Sequence, residues 1–191
     1  MDHQPKIRTA RLLLRPYDDA DAPEVQRLAG DARVADTTLT IPHPYPDGVA
    51  EMWIATHEAA WLSGRGAIFA ITRLGQGDLV GTVGLTVKPE LHSAELGYWI
   101  GYPFWGHGYG TEAAQAAVDF GFAMLALDRV HAHHFERNPA SGRVMQKVGM
   151  REEFFRRAAV MKRGVPEDVR GYAISRAAWE NLRLPSLPPS V

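Results

Sequence analysis

Apolar residues recur at two different spacings in the middle of the chain. Along residues 111–127 they fall on one side of a helix, in a stripe made by Ala114, Ala117, Val118, Gly121, Met124 and Leu125. Along residues 93–100 they alternate and share one face of a strand, at Ala94, Leu96, Tyr98 and Ile100. Residues 130–137 read as another strand. The order strand, glycine-rich loop, helix, strand predicts a βαβ unit whose two strands are parallel.

Shorter patterns on either side of this unit predict the rest of the fold. Strands are predicted at residues 7–17, 67–73, 79–87, 151–164 and 167–176, and helices at residues 18–30, 47–63, 139–148 and around Trp179. Short turns join the flanking strands, so we expect them to be antiparallel within a mixed α/β sheet. We predict one domain over residues 1–184 and a disordered, proline-rich tail over residues 185–191.

Composition narrows the class of protein. The chain has 191 residues, of which 46% are hydrophobic and 23% are charged, and its formal net charge is −1. These values are typical of a soluble domain, and the lack of a basic surplus disfavours nucleic acid as a partner. The chain has no cysteines, which excludes disulfides and cysteine zinc sites. Because the sequence shows neither a membrane helix of roughly 20 apolar residues nor a signal peptide, we expect no membrane partner and a cytoplasmic location.

The loop between the central strand and the helix carries three alternating glycines. Residues 105–113 read WGHGYGTEA, with Gly106, Gly108 and Gly110 just before the helix. Such glycines let backbone N–H groups converge at a helix N-terminus, where phosphate groups bind well. The P-loop pattern is absent, and the dinucleotide pattern lacks its third glycine because Thr111 stands there. Taken alone, the glycines leave open a tight turn that holds no ligand.

Three separated motifs read ELGYWIGYPFWGHGYGTEAAQAAVDFGF from Glu95 onward, NPASGRVMQKVGM at 138–150 and RTARLLLRPYDDADA at 8–22. Together they resemble the GNAT N-acetyltransferases, in particular their RimJ/RimL-like branch. The resemblance runs from about residue 7 to 176, which is nearly the whole chain. One departure concerns the position before the first loop glycine, where the family usually has Gln or Arg and this chain has Trp105.

The resemblance implies the fold class α/β (α+β) and acetyl-CoA as cosubstrate. In such a GNAT fold a mixed, mostly antiparallel central sheet is flanked by helices, and its parallel strands, here 93–100 and 130–136, splay apart. The pantetheine arm is implied to enter this gap and to bind the backbone of Trp99, Ile100 and Gly101 and the side chain of Asn138. The pyrophosphate is implied to bind the loop residues Gly106, His107, Gly108, Tyr109, Gly110 and Thr111.

The implied reaction is direct attack of a primary amine on the thioester in a ternary complex. Glu95 is the candidate general base, acting through a water; its alternative role is to bind the substrate ammonium without moving the proton. Ser141 is the candidate proton donor to the leaving thiolate, or else a hydroxyl that caps a helix start. Tyr98 and Tyr109 are further candidate acids whose alternative role is packing.

The proline- and aromatic-rich residues 41–61 are the candidate acceptor side. There His43, Tyr45 and Trp53 are candidate substrate-binding residues, although core packing also explains the tryptophan. The resemblance implies a protein N-terminal α-amine of the ribosomal-protein type as the acceptor. The alternative acceptors are a polyamine, an amino acid and an aminoglycoside. The alternative function is an acyl-CoA-binding module without turnover, and a homodimer is possible.

The histidines of the segment HAHH, residues 131–134, raise the question of a metal site. On a strand, His131 and His133 share one face and His134 takes the other. Two ligands are too few for a closed site, and no paired cysteines support them. We therefore predict structural roles for these histidines and no metal.

Overall fold

An eight-stranded sheet forms the centre of the protein. A computed structural model describes residues 3–183, and the tail predicted at 185–191 lies outside the described residues. The strands are β1 (Ile7–Arg8), β2 (Leu12–Arg15), β3 (Gly66–Arg73), β4 (Leu79–Lys88), β5 (Ser93–Ile100), β6 (Arg129–Phe135), β7 (Arg151–Lys162) and β8 (Val165–Ser175). Their order across the sheet is β1-β2-β3-β4-β5-β6-β8-β7, and β5 and β6 form the parallel pair. The predicted mixed, mostly antiparallel sheet is confirmed.

The helices cover both faces of the sheet. They are α1 (Ala22–Ala29), α2 (Ala32–Asp36), α3 (Val49–Ala55), α4 (His57–Leu62), α5 (Tyr109–Met124), α6 (Pro139–Lys147) and α7 (Arg176–Arg183). The prediction of a single helix at 47–63 is wrong, because two helices, α3 and α4, occupy this range. The helix breaks at Thr56, whose N–H and hydroxyl both donate to the carbonyl of Trp53, and this three-residue spacing interrupts the α-helical ladder. Within residues 3–183, none of the helices has the length and apolar character needed to cross a membrane.

The strand predicted at 7–17 is a hairpin instead of one continuous element. The N–H of Thr9 donates to the carbonyl of Leu12 at 2.9 Å, and the N–H of Leu12 donates to the hydroxyl oxygen of Thr9 at 3.0 Å, and so the chain reverses between β1 and β2. Ile7 then pairs with Leu14. Local side-chain bonding by threonine has overridden an extended hydrophobic pattern, and the turn that results reaches the start of α5.

Two apolar clusters fix the layers around the sheet. The first lies between the sheet and α5, whose residues Ala113, Ala114 and Ala117 are fully buried. A Cβ added to Gly121 would lie only 2.9 Å from a methyl group of Leu85, so α5 approaches β4 as closely as a helix can. The second cluster lies on the opposite face, under α1 and α3. The helix predicted at 111–127 is thus confirmed, although it begins two residues earlier.

The parallel strands separate soon after they begin. β5 and β6 are paired only through Ser93, Ala94 and Glu95. Beyond that point β5 stays paired with β4 as far as Ile100, while β6 stays paired with β8 as far as Phe135. The sheet therefore opens between its two central strands, as the resemblance implied.

Candidate active site

A cavity of about 1050 Å³ occupies the opening between β5 and β6. Most of the predicted site residues line it, and these are Glu95, Ser141, Trp99, Ile100, Gly106, Gly108, Tyr109, Gly110, Thr111, Asn138, Tyr45 and Trp53. The structure therefore brings together residues that are spread over almost a hundred positions of the sequence. Gly101, His107 and His43 are the predicted site residues that it does not place in the lining.

The glycine-rich loop ends at the N-terminus of α5. Gly106 has φ +79° and Gly108 has φ +81°, a backbone region that side chains other than glycine rarely adopt. Gly108 is the N-cap and gives the helix no side-chain cap, so the first N–H groups of α5 lack intrahelical partners. A Cβ on Gly110 would lie 3.5 Å from Ile100 and so would occupy the cavity. These features suit the binding of an anionic group.

The turn between β1 and β2 fastens this loop to the sheet. Glu112, in the first turn of α5, accepts hydrogen bonds from the hydroxyl of Thr9 at 2.7 Å and from the backbone N–H of Arg11 at 2.8 Å. The guanidinium of Arg11 binds the same carboxylate at 2.7 Å and also donates to the carbonyl of His107 at 2.9 Å. Arg11 thereby compensates a negative charge that would otherwise oppose anion binding at this helix end.

The backbone groups that face the gap differ in part from those implied by the resemblance. The N–H of Gly101 donates to the carbonyl of Val80, at 2.9 Å, on the β4 side. Because hydrogen-bonded positions alternate along an antiparallel pair, Trp99 also faces β4 and contributes its indole to the cavity, whereas Tyr98 and Ile100 turn their backbone groups to the gap. The predicted backbone roles of Gly101 and Trp99 are therefore corrected.

Two predicted histidines lie outside the cavity. His107 directs its Nδ1 to the carbonyl of Trp105 at 2.9 Å and stacks on the ring of Tyr109. His43 directs its Nδ1 to the carbonyl of Gly30 at 3.0 Å. In both cases a local backbone carbonyl holds the ring away from the opening, so neither side chain lines the site.

An interaction missed by the sequence prediction joins β5 to β6. Nδ1 of His133 lies 2.8 Å from Oε1 of Glu95, and both residues line the cavity. This hydrogen bond lowers the pKa of Glu95 and raises the pKa of His133. The pairing of Glu95 with His131 in the parallel register puts His133 on the same face one step further on. Residue spacing does not encode that register, so the sequence carried no signal for this contact.

The other histidines of the segment have structural surroundings. Burial lowers the pKa of His131. His134 is buried beneath α6, where a Cβ on Gly142 would lie 2.7 Å from its Nε2. Within residues 3–183 no three side chains of the metal-ligating types cluster in a way that could hold a metal ion.

A second polar pair lies between β5 and α6. The phenol of Tyr98 lies 2.7 Å from the hydroxyl of Ser141 and donates to the carbonyl of Ser141 at 3.0 Å. Burial raises the pKa of Tyr98 to about 12, so this phenol keeps its proton at neutral pH. Asn138 caps α6 by accepting from the N–H of Ser141 at 3.3 Å. The helix start thereby holds the serine hydroxyl at the cavity.

The two pairs lie on opposite faces of the sheet. Tyr98 packs against the cluster under α5 and α6, on the face that also carries the glycine loop. Trp99 packs against the cluster under α1 and α3, and Glu95 shares its face because side chains alternate along β5. The cavity thus has a face with an anion-binding loop and a face with an acid–histidine pair.

The sequence matches a known family model over most of its length. The model of the acetyltransferase (GNAT) domain matches residues 11–151. The chain belongs to this family. This acetyltransferase is also 31% identical over 180 residues to the uncharacterized N-acetyltransferase YoaA of Bacillus subtilis strain 168, a match that covers 89% of this chain and 96% of that protein. It is accordingly an acetyl-CoA-dependent N-acetyltransferase, as the resemblance implied.

Solved structures of the same fold differ in what they act on. RimL, a ribosomal L7/L12 α-N-protein acetyltransferase in complex with coenzyme A, has a TM-score of 0.82 at 19% identity, covering 90% of this acetyltransferase and 98% of that chain. The spermidine N-acetyltransferase of Vibrio cholerae in complex with CoA and spermine has a TM-score of 0.78 at 21% identity, covering 91% and 100%. Both similarities confirm the GNAT fold.

The cavity of this acetyltransferase fits coenzyme A. The N-terminus of α5 offers N–H groups to a pyrophosphate. The strand edge of Tyr98 and Ile100 offers backbone groups to an arm that carries amides. Because Gly110 has no side chain, the space beside Ile100 stays free.

Proposed function

We propose that this enzyme acetylates a primary amine that approaches from the Glu95 face of the gap, and that a protein N-terminal α-amine is the acceptor class. One observation carries the proposal: two hydrogen-bonded pairs, Glu95 with His133 and Tyr98 with Ser141, line the same cavity from opposite faces. A reaction that removes a proton from an ammonium and supplies one to a thiolate needs a group on each side.

The pair of Glu95 and His133 serves as the base. An amine must lose a proton before it attacks, and an α-amino group with a pKa near 8 loses it more readily than a lysine with a pKa near 10.4. A general base works best when its own pKa lies close to the operating pH. The raised pKa of His133 meets this condition better than the lowered pKa of Glu95. Glu95 orients the ring, and His133 takes the proton.

Ser141 serves the leaving side. Acetyl-CoA supplies an acetyl thioester, whose C–S bond breaks as the amine nitrogen bonds to the acetyl carbon. The hydroxyl of Ser141 donates its proton to the departing sulfur and regains one when the phenol of Tyr98 turns its proton from the carbonyl of Ser141 to this hydroxyl. The nitrogen loses its second proton as the amide forms, and exchange with solvent returns one proton to the phenol, so the net products are the amide, the free thiol and the proton taken by His133. The phenol can supply a proton to Ser141 because its pKa of about 12 keeps it protonated.

The charges of the lining favour an acceptor with a single amine. Among the described residues, Glu95 is the one carboxylate in the lining, and it is already bonded to His133. The rest of the acceptor side is uncharged: it has the polar residues Thr37, Thr38 and Thr40 beside the apolar and aromatic residues Leu39, Ile41, Pro42, Tyr45, Trp53 and Ile68. A polyamine carries several ammonium groups that need several carboxylates, whereas a peptide N-terminus presents one amine beside an uncharged side chain.

The test is a panel of acceptors incubated with acetyl-CoA while the released thiol is measured. Peptides with a free N-terminus, spermidine and an aminoglycoside form the panel, and the same peptides with a blocked N-terminus are the matched controls. We expect thiol release, and one added acetyl group by mass spectrometry, with the free peptides. A higher kcat/KM for spermidine than for any peptide contradicts the proposed acceptor class. Binding of acetyl-CoA without turnover of any amine contradicts the proposal that the protein catalyses acetyl transfer.

A further inference from the structure

A buried lysine lies behind the acceptor side of the cavity. Lys162, the last residue of β7, is 5% exposed. Its ammonium donates to the carbonyls of Ala35, at 2.7 Å, and of Thr38. The carbonyls of Leu39 and Ile41 lie at 3.5 and 3.4 Å. A buried ammonium is tolerated only with such partners, and here each of them is a backbone oxygen.

Three of these four carbonyls, those of Thr38, Leu39 and Ile41, belong to the segment of residues 37–42, which we call the wall segment; the carbonyl of Ala35 lies in α2 just before it. Each residue of the segment, Thr37, Thr38, Leu39, Thr40, Ile41 and Pro42, lines the cavity. The segment has no strand or helix of its own. Its carbonyls therefore need partners from elsewhere, and Lys162 supplies one from a position more than 120 residues later in the chain.

A second contact joins the same region to the far side of the gap. Arg137, just after β6, binds the carboxylate of Asp36 at 2.6 Å and donates to its carbonyl at 2.8 Å. The same guanidinium binds Glu167 of β8. Because Arg137 and Asp36 are exposed, this contact is the weaker of the two. Together the contacts tie Asp36 and the wall segment to the hairpin of β7 and β8.

We propose that Lys162 is a positioning residue that fixes the wall segment as one side of the acceptor site. The proposal rests on the proposed function, since it assigns this side of the cavity to the amine. Lys162 itself does not line the cavity and acts through the backbone of the wall segment. Its loss should therefore alter acceptor binding and leave the glycine loop, and so the binding of acetyl-CoA, unchanged.

Kinetics of Lys162→Met test the proposal. Methionine keeps the apolar stem and removes the ammonium, and Arg163→Met, on the next and exposed residue, is the control for loss of one positive charge. We expect the acceptor KM of Lys162→Met to rise about tenfold or more, because a hydrogen bond to a charged group contributes at least that factor. The dissociation constant of acetyl-CoA, measured by calorimetry, should stay within about twofold of the wild type. Lys162→Arg, which keeps the charge, should recover part of the loss. An unchanged acceptor KM, or an equal loss of acetyl-CoA affinity, overturns the proposal.

Hydrogen exchange gives a readout that does not depend on turnover. Peptides that cover residues 34–45 should exchange faster in Lys162→Met than in the wild type, whereas peptides that cover the glycine loop should not. If Lys162→Met does not fold, Lys162→Gln, which keeps a shorter and uncharged donor, replaces it; the exchange of residues 34–45 should then increase by a smaller amount, and unchanged exchange overturns the proposal. A wild-type enzyme that acetylates no amine refutes the proposed function, while the exchange data still decide whether Lys162 holds the wall segment.

Discussion

The substitution Tyr98→Phe isolates the hydroxyl that joins β5 to α6. It removes two hydrogen bonds, to the hydroxyl of Ser141 at 2.7 Å and to its carbonyl at 3.0 Å, and it keeps the ring. Because the site is only partly buried, water can replace some of what is lost. We expect the free energy of unfolding to fall by about 1 to 2 kcal/mol. Urea unfolding measures this as a lower midpoint at an unchanged slope.

The same variant should lower turnover. Without the phenol, Ser141 loses the donor that can replace its proton, so we expect kcat to fall about tenfold, at the low end of the range for acid–base groups. The acetyl-CoA dissociation constant should not change, since the backbone of residue 98 is kept and the phenol bonds to Ser141 of α6 instead of the glycine loop. If the two residues act as one unit, Ser141→Ala and the double variant should lose about the same kcat, with a coupling energy of about 1 kcal/mol or more.

The control for Tyr98→Phe is Tyr102→Phe, which removes a phenol from an exposed ring. Its effect on unfolding should stay within about 0.5 kcal/mol, as for most surface substitutions. Strict additivity of the losses in kcat for Tyr98→Phe and Ser141→Ala refutes the proton path through this pair. An unchanged kcat in Tyr98→Phe, together with the expected loss of stability, leaves Tyr98 a packing residue.

Three further substitutions test the other parts of the site. In Glu95→Gln, His133 loses the carboxylate that raises its pKa, while burial, which lowers this pKa, remains. The pH at which kcat/KM is half-maximal should therefore fall, and a rise in this pH contradicts the assignment of the base. Gly110→Val should raise the acetyl-CoA dissociation constant by roughly tenfold or more, because its branched side chain would fill space beside Ile100 that the proposed cofactor site needs, with a smaller effect for Gly110→Ala; unchanged calorimetric affinity refutes the loop assignment. Arg11→Met leaves the charge of Glu112 uncompensated beside the loop. It should weaken acetyl-CoA binding by about fivefold at low salt and by less at high salt. A loss of affinity that does not depend on salt argues against the electrostatic role of Arg11.

The sequence predicted the elements that carry a long hydrophobic repeat. It failed where local hydrogen bonds from side chains set the end of a helix or a strand. The alanine-rich helix α5 and the alternating strand β5 follow from hydrophobic spacing alone. The hairpin of β1 and β2 and the division of α3 from α4 depend on Thr9 and Thr56, whose hydroxyls bond to backbone groups three residues away. Such competition between side chain and backbone barely changes a hydrophobic pattern, which explains why both elements were predicted as continuous.

The candidate site could be predicted where its residues lie together in the sequence. The glycine loop and the start of α6 are local motifs, and the structure places both at the cavity. The contact of His133 with Glu95 depends instead on the register of a parallel pair, and that of Lys162 on the path of a hairpin across the gap. Neither register nor path is encoded in residue spacing, so these contacts became visible only in three dimensions.

The opening of the sheet also gives a reason for the unusual residue at position 105. A splayed strand edge exposes backbone carbonyls that would otherwise be paired, and the carbonyl of Ile100 is one of them. The indole N–H of Trp105 donates to that carbonyl at 2.6 Å, and its ring packs edge-on against Tyr102. Because an indole is a donor only, it can satisfy the carbonyl but not an N–H group of the same edge. Trp105 directly precedes Gly106, so one residue joins the open strand to the loop at the helix N-terminus, the two parts of the proposed cofactor site.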